Sequence, residues 1–349
     1  MTLDDIKTLD PSGMFERIRS FPTQVREAVT IGTTVPLPPR RRPAENIVLC
    51  GLGGSAIAGD LLKSYLAGDL SIPFLVNRHY TLPACVGPST LVILSSYSGN
   101  TEETNAAHRE ALRRKARLLC ITSGGTTAAL AARHHTPMIT IPGGSPPRAA
   151  LGYSFFPLLL ALSRMGYIRN RQRDIRETIA LLEEKSALYA VPETSANPAL
   201  QLAELLQGRI TVLYSSTEHI DAVNTRWRGQ IAENAKALCF GHVLPEMNHN
   251  ELVGWHALHQ QMKEMVVVFL RDRGDHRRVQ IRMDISRQIL REYTSHVTEV
   301  WSEGRSLLTR MFSLLYMGDW VSFYLAMLHR VDPTPVRVID HLKQELAKV

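Results

Sequence analysis

Two stretches of this 349-residue chain carry residues that could hold an anion. In "NIVLCGLGGSAIAGDLL" (Asn46 to Leu62), an apolar run enters a glycine turn that opens a helical pattern. Gly51, Gly53 and Ala56 fit the dinucleotide fingerprint G-x-G-x-x-G/A. In "ILSSYSGNTEET" (Ile93 to Thr104), Ser96, Ser98 and Thr101 supply hydroxyls, and Gly99 and Asn100 permit a tight or left-handed turn. Thr101, Glu102 and Glu103 then open a helix. Hydroxyls beside the free N–H groups of a helix N-terminus bind anions. Neither turn holds a lysine, so neither is a Walker-type loop, and a phosphomonoester fits better than ATP. A dinucleotide site wants an acid at the end of the second strand, where "FLVNRHY" offers Asn77 and Arg78. Arg78 leaves a 2′-phosphate, and so NADP, as an alternative.

The elements that must position these turns alternate. Asn46–Cys50, Ile72–Val76, Leu91–Ser95, Arg117–Thr122 and Met138–Ile141 read as short buried strands. Ser55–Leu66, Thr101–Lys115 and Thr126–His134 read as the helices between them. That order predicts a parallel sheet with helices on both faces and both turns at carboxyl ends of strands. A helical section from Ala149 to about Leu188 follows, and then the pattern restarts. Arg209–Ser216, Met265–Asp272 and His296–Trp301 read as strands, and "TRWRGQIAENAKALCF" (Thr225–Phe240) as one helix. A long helix runs from about Gly304 to Arg330, "VDPTPV" breaks it, and a last helix covers "VIDHLKQELAK". The division expected is 1–190 and 191–349, with a linker near Val191 to Asn197.

Composition narrows the class. Hydrophobic residues make up 44%, enough for ordinary globular cores. The four cysteines (Cys50, Cys85, Cys120, Cys239) form no C-x-x-C pair, so a reducing compartment is expected, and Cys50 and Cys120, at the ends of apolar strand-like runs, read as buried thiols. "MTLDDIKTLDPSG" has no apolar signal region, and apolar runs such as Phe155 to Leu162 fall short of a spanning helix. A cytoplasmic protein without a membrane partner is expected. The net charge of +7 is spread out, its one dense run, "PPRRRP" (Pro38 to Pro43), lies in a proline-rich loop, and no nucleic-acid-binding signature accompanies it. A basic surface instead suits an anionic substrate. His256 and His259 sit one turn apart on an expected helix, but no third ligand is evident nearby, so no metal is expected.

Gly53-Gly54-Ser55 followed by Ser96-Tyr97-Ser98-Gly99-Asn100-Thr101 resembles the sugar isomerase (SIS) domain. "PRAALGY" (Pro147–Tyr153), "RGQIAENAKALCF" (Arg228–Phe240), "PEMNHNELVGW" (Pro245–Trp255) and "DPTPVRVIDHLK" (Asp332–Lys343) are similar to motifs of the bifunctional phosphoglucose/phosphomannose isomerases. The likeness runs in order from about Asn46 to Lys343. It implies two SIS-type three-layer αβα sandwich domains with parallel sheets, plus C-terminal helices. It implies a metal-independent aldose–ketose isomerase without a cofactor, acting on glucose 6-phosphate, mannose 6-phosphate and fructose 6-phosphate through a cis-enediol.

Moving a proton between C1 and C2 needs one base near both carbons. Glu233 matches the family's base, although composition alone would read it as a solvated helical glutamate. His249 matches the ring-opening histidine, whose ordinary pKa near 6.5 suits both proton directions. The family supplies this histidine across a homodimer. Arg148 matches the arginine that faces the enediolate, where positive charge favours the transition state. Lys343 matches a lysine near the substrate, and Thr334 the wall beside C2 and C3. Gly53, Gly54, Ser55, Ser96, Ser98 and Thr101 would hold the sugar phosphate. A non-catalytic sugar-phosphate sensor would lack the base, so Glu233 and His249 together favour an enzyme. An isomerase of another sugar phosphate stays open, because Ala232 stands where the family often has asparagine.

Overall fold

A computed structural model describes residues 1–38, 43–192, 196–346 and 348. Most of the basic run at 38–43 and the middle of the expected linker lie outside the described residues. In chain order the elements are α1 (Leu3–Leu9), α2 (Met14–Arg19), α3 (Phe21–Thr34), β1 (Asn46–Cys50), α4 (Gly53–Leu66), β2 (Phe74–Asn77), β3 (Thr90–Ser95), α5 (Glu102–Arg113), β4 (Arg117–Thr122), α6 (Gly125–Arg133) and β5 (Met138–Thr140). After a 3-10 turn at Pro147–Ala149 come α7 (Leu151–Arg164), α8 (Gln172–Tyr189), α9 (Pro198–Leu206), β6 (Ile210–Ser216), α10 (Asp221–Ala235) and β7 (Cys239–Leu244). A second 3-10 turn, Glu246–His249, leads to α11 (Glu251–Gly254), α12 (His259–Lys263), β8 (Met265–Arg271), α13 (Arg277–Leu290), β9 (Val297–Trp301), α14 (Leu307–Leu328) and α15 (Arg337–Leu346).

The chain divides into two compact units. One holds residues 20–182 and 304–309, the other 1–19, 183–303 and 310–349. In the first, five parallel strands lie in the order β2-β1-β3-β4-β5. β1 sends the chain outward to β2 on one side and pairs β3 on the other, from Asn46 opposite Thr90 to Cys50 opposite Leu94. The sheet therefore changes direction between β1 and β3, and ligands of such sheets bind at that crevice. Every residue of β3 is buried, as a parallel strand covered on both faces requires. Val48, Val92 and Leu94 pack with Ala107 and Ala111 of α5, and Cys50 and Cys120 lie in the same core. Burial pushes both thiols up to about 12, which leaves them as inert apolar packing at neutral pH.

His108 on α5 is fully buried, and neither ring nitrogen meets a partner among the described residues. Burial first, then the neighbouring charges of His134 and Arg109, pull its pKa down to about 4. The folded protein thus keeps His108 neutral, whereas the unfolded chain takes up a proton near pH 6.5. Stability from this group is complete above pH 6.5 and falls as pH drops toward 4, because the unfolded state binds more protons there. Its share of the loss between pH 7 and pH 5 is about 2 kcal/mol. Urea unfolding of His108→Phe should show a smaller fall over that interval than the wild type; equal falls would show that His108 does not titrate this way.

The second unit holds four parallel strands in the order β7-β6-β8-β9. Val212 and Tyr214 of β6 and Val267 and Phe269 of β8 pack against Met283 and Leu290 of α13. α14 is long and apolar enough to cross a membrane, contrary to the expectation that no apolar run here is. Yet 94% of its apolar window is buried inside the protein, so it is a core helix. Phe15 of α2 meets Trp320 edge-on, with ring centroids 5.3 Å apart.

Three further sequence expectations change. β2 pairs over Phe74–Asn77 rather than Ile72–Val76, since Pro73 has no N–H to give the ladder. The helix expected to run to Phe240 stops at Ala235, because Lys236 turns left-handed (φ 56°), and Cys239–Leu244 pairs with β6 as an additional strand. His256 and His259 do not share a helix: α11 ends at Gly254 and α12 begins at His259. The break lets the buried Trp255 donate its indole N–H to the Tyr214 hydroxyl at 2.9 Å.

Candidate active site

In the first unit the two expected turns stand side by side at the ends of β1 and β3. α4 begins at Gly53 and α5 at Glu102, and neither Leu52 nor Thr101 caps its helix with a side-chain hydrogen bond. No cap side chain competes for the first-turn N–H groups of either helix, which suits an anion. Ser55 is buried, and its hydroxyl accepts from the Tyr97 N–H at 3.1 Å, tying the two turns together. The buried Ser96 donates to the Thr101 hydroxyl at 2.9 Å. The exposed Ser98 accepts from the Asn100 N–H at 3.3 Å.

The serine-rich turn rests on the turn that leads into α6, Ser123 to Thr127, to which no sequence motif gives a role in the site. Ser123 donates to Tyr97 O at 2.7 Å, and the Thr127 N–H donates to Gly99 O at 2.8 Å. Gly99 has φ 72°, and a Cβ there would come within 1.8 Å of Gly124 O, so only glycine lets the two turns touch. Glycine doublets mark turns, but nothing local says what Gly124 and Gly125 press against.

Arg148 lies in the Pro147–Ala149 turn and is 4% exposed. A Cβ on Gly54 would come within 2.6 Å of Pro147 O, so Gly54 lets the start of α4 close on the Arg148 turn. Gln24 of α3 clamps that turn, donating to Ala149 O and accepting from the Gly152 N–H, both at 2.8 Å. No sequence signal marked Gln24, which stands about 125 positions away on an amphipathic helix.

In the second unit α10 carries Glu233. Arg226, Gln230 and Asn234 recur every four residues and form one buried polar face. Arg226 pairs with Asp319 of α14 at 3.1 Å, Gln230 donates to the other Asp319 oxygen at 2.8 Å, and Asn234 donates to Ser322 at 3.0 Å. Burial raises the Asp319 pKa, and the Arg226 charge opposes that shift. Breaking such a buried pair leaves an uncompensated charge, so the ladder fixes the rotation of α10 about its axis. Glu233, one position off that face, is half-buried on the wall of a cavity of about 680 Å³. Lys236, Asp332, Pro335 and the start of α15 form other parts of the wall.

Thr334 is partly buried in the loop after α14, where its N–H donates to Asp332 Oδ1 at 2.9 Å. His249 is exposed at the end of the turn that follows β7. Lys343 is exposed on α15. Among the described residues, neither His249 nor Lys343 lines the Glu233 cavity. The segment after His249 is anchored by Tyr214, which donates to Glu251 at 2.6 Å. Among the described residues no group of three or more His, Cys, Asp or Glu side chains is placed to hold a metal ion.

Comparison with known proteins adds independent findings. Residues 42–161 match the SIS domain family, and residues 195–346 match the family described as the bacterial phospho-glucose isomerase C-terminal SIS domain. A bifunctional phosphoglucose/phosphomannose isomerase from Caldicellulosiruptor bescii is 42% identical over 96% of this chain and 99% of its own. One from Aquifex aeolicus is 37% identical over 88% of this chain and 92% of its own. Among solved structures, a glucose-6-phosphate isomerase-like protein from Thermus thermophilus superposes with a TM-score of 0.65 at 22% identity, covering 94% of this chain and 95% of that one.

Proposed function

The chain belongs to the bifunctional phosphoglucose/phosphomannose isomerase family of SIS-domain enzymes, and we propose that Glu233, His249 and Arg148 carry out its aldose–ketose chemistry on hexose 6-phosphates. It is an isomerase: glucose 6-phosphate or mannose 6-phosphate is interconverted with fructose 6-phosphate. One observation supports the residue assignment above the others. The Arg226–Gln230–Asn234 ladder turns α10 so that Glu233 lines a solvent-open pocket together with Asp332, Pro335 and the start of α15.

The phosphate is held by Ser96, Ser98 and Thr101 with the first-turn amides of α5, and Gly53, Gly54 and Ser55 let the α4 amides approach the sugar. His249 opens the pyranose ring, giving a proton to the ring oxygen and taking one from the C1 hydroxyl. Glu233 then takes the proton from C2 of the aldose and returns it to C1, while the O2 hydroxyl proton passes to O1, leaving the ketose. Between the two transfers the enediolate carries negative charge on oxygen, and Arg148 stabilises that charge more than the neutral ground state. Lys343 lies near the substrate. C2 is planar in the enediol, so its configuration is erased; rotation about C2–C3 beside Thr334 lets either epimer re-form.

The working enzyme is a cytoplasmic homodimer in which each site receives His249 of the partner subunit, serving glycolysis and gluconeogenesis. Exposed apolar side chains support a dimer: Leu238, Phe240 and Val253 in one stretch, and Val338, Leu342 and Leu346 along α15. The reaction needs no metal and no redox cofactor, because one base and one electrostatic stabiliser move the proton. The direct test supplies purified protein with fructose 6-phosphate and EDTA. Both glucose 6-phosphate and mannose 6-phosphate should accumulate; formation of neither would remove the assignment.

A further inference from the structure

Lys236 ends α10 in the left-handed conformation, with φ 56° and ψ 32°. There its ammonium is drawn to backbone oxygen at the negative end of the helix. Its Nζ donates to three carbonyls: Glu233 O within α10, Pro333 O at 3.1 Å and Pro335 O at 2.7 Å. Those last two carbonyls flank Thr334. Three donors on a point charge suit three carbonyl acceptors converging from different segments. The loop they meet is already stiff, because Pro333 and Pro335 fix their own φ and Asp332 accepts from the Thr334 N–H. His329, just upstream, contacts Ala235 O through Nδ1 at 3.1 Å. The helix that carries Glu233 and the loop that carries Thr334 are thus stapled together, and Lys236 shares the cavity wall with Glu233 and Asp332.

We propose that Lys236 is a positioning residue that sets which aldose the enzyme forms, by fixing the Thr334 loop at one distance from Glu233. This rests on the reading of Glu233 as the base and of Thr334 as the wall beside C2 and C3. The same enediol gives glucose or mannose 6-phosphate according to how C2 presents its faces to the base. A wall held rigidly against the base helix limits the rotation of C2–C3. A loosened wall changes the relative barriers to the two reprotonations, and small changes in packing suffice for such discrimination.

The test compares the wild type with Lys236→Met, Lys236→Arg and Glu233→Gln, each given fructose 6-phosphate, and reads the initial ratio of glucose 6-phosphate to mannose 6-phosphate. This ratio belongs to each active molecule, so partial unfolding lowers the amount of product without moving it. Lys236→Met should shift the ratio by about threefold or more, and Lys236→Arg, which keeps charge and donors, by less. A wild-type ratio in Lys236→Met beside an inactive Glu233→Gln would overturn the proposal alone. So would loss of both products in folded Lys236→Met and Lys236→Arg. Wild-type turnover by Glu233→Gln would instead remove the base assignment, and the proposal with it.

Discussion

Glu233→Gln should lower turnover by about three orders of magnitude while leaving sugar-phosphate affinity within about threefold. The substitution keeps the size of the side chain and removes its negative charge and its ability to carry a proton. The residue stands on a cavity wall, and the helix beneath it is held by a buried ladder that glutamine does not touch. The protein should therefore stay folded and bind substrate. A coupled assay gives kcat, and calorimetric titration with fructose 6-phosphate gives affinity. A variant that loses affinity in step with turnover would make Glu233 a binding or structural residue.

Arg148→Met should lower kcat by about two to three orders of magnitude. In the proposed role the guanidinium acts on charge that develops on the enediolate oxygens, so the loss should belong to kcat more than to KM. Arg148→Lys restores the charge without the planar donor fork and should recover part of the rate. The Arg148 turn is fixed from below by Gln24 and from the side by its close approach to Gly54, and both contacts run to backbone atoms. The turn therefore survives the change of side chain. A rise in KM at unchanged kcat would place Arg148 in ground-state binding only.

The first sheet was legible because its strands are short β-branched runs bounded by glycine and proline, and β1 and β4 fall on the residues expected. The two turns proposed to hold the sugar phosphate were legible for the same local reason. β7 was not: it lies at a sheet edge, is half-exposed, contains Gly241 and His242, and follows a helical pattern directly. Three residues separate the two, and the helix is turned off by the left-handed Lys236, a conformation for which lysine has no intrinsic preference. The candidate catalytic residues were legible through family motifs, since a helical glutamate such as Glu233 reads as solvated surface. What orients them was illegible, because it comes from far along the chain. Asp319 meets α10 from about 90 residues away, and Gln24 meets the Arg148 turn from about 125. The first helices likewise group with the second half of the chain, where Tyr316 donates to Ile18 O at 2.9 Å.

Fructose 6-phosphate incubated with the protein and EDTA in deuterium oxide, and read by NMR, shows whether Glu233 moves the proton between C1 and C2. Proton transfer by a carboxylate that exchanges with solvent puts deuterium at C2 of both glucose 6-phosphate and mannose 6-phosphate. The result expected is that label in both epimers, and its loss in Glu233→Gln. Both aldoses still formed with deuterium at C2 by Glu233→Gln at the wild-type rate would contradict proton transfer through Glu233.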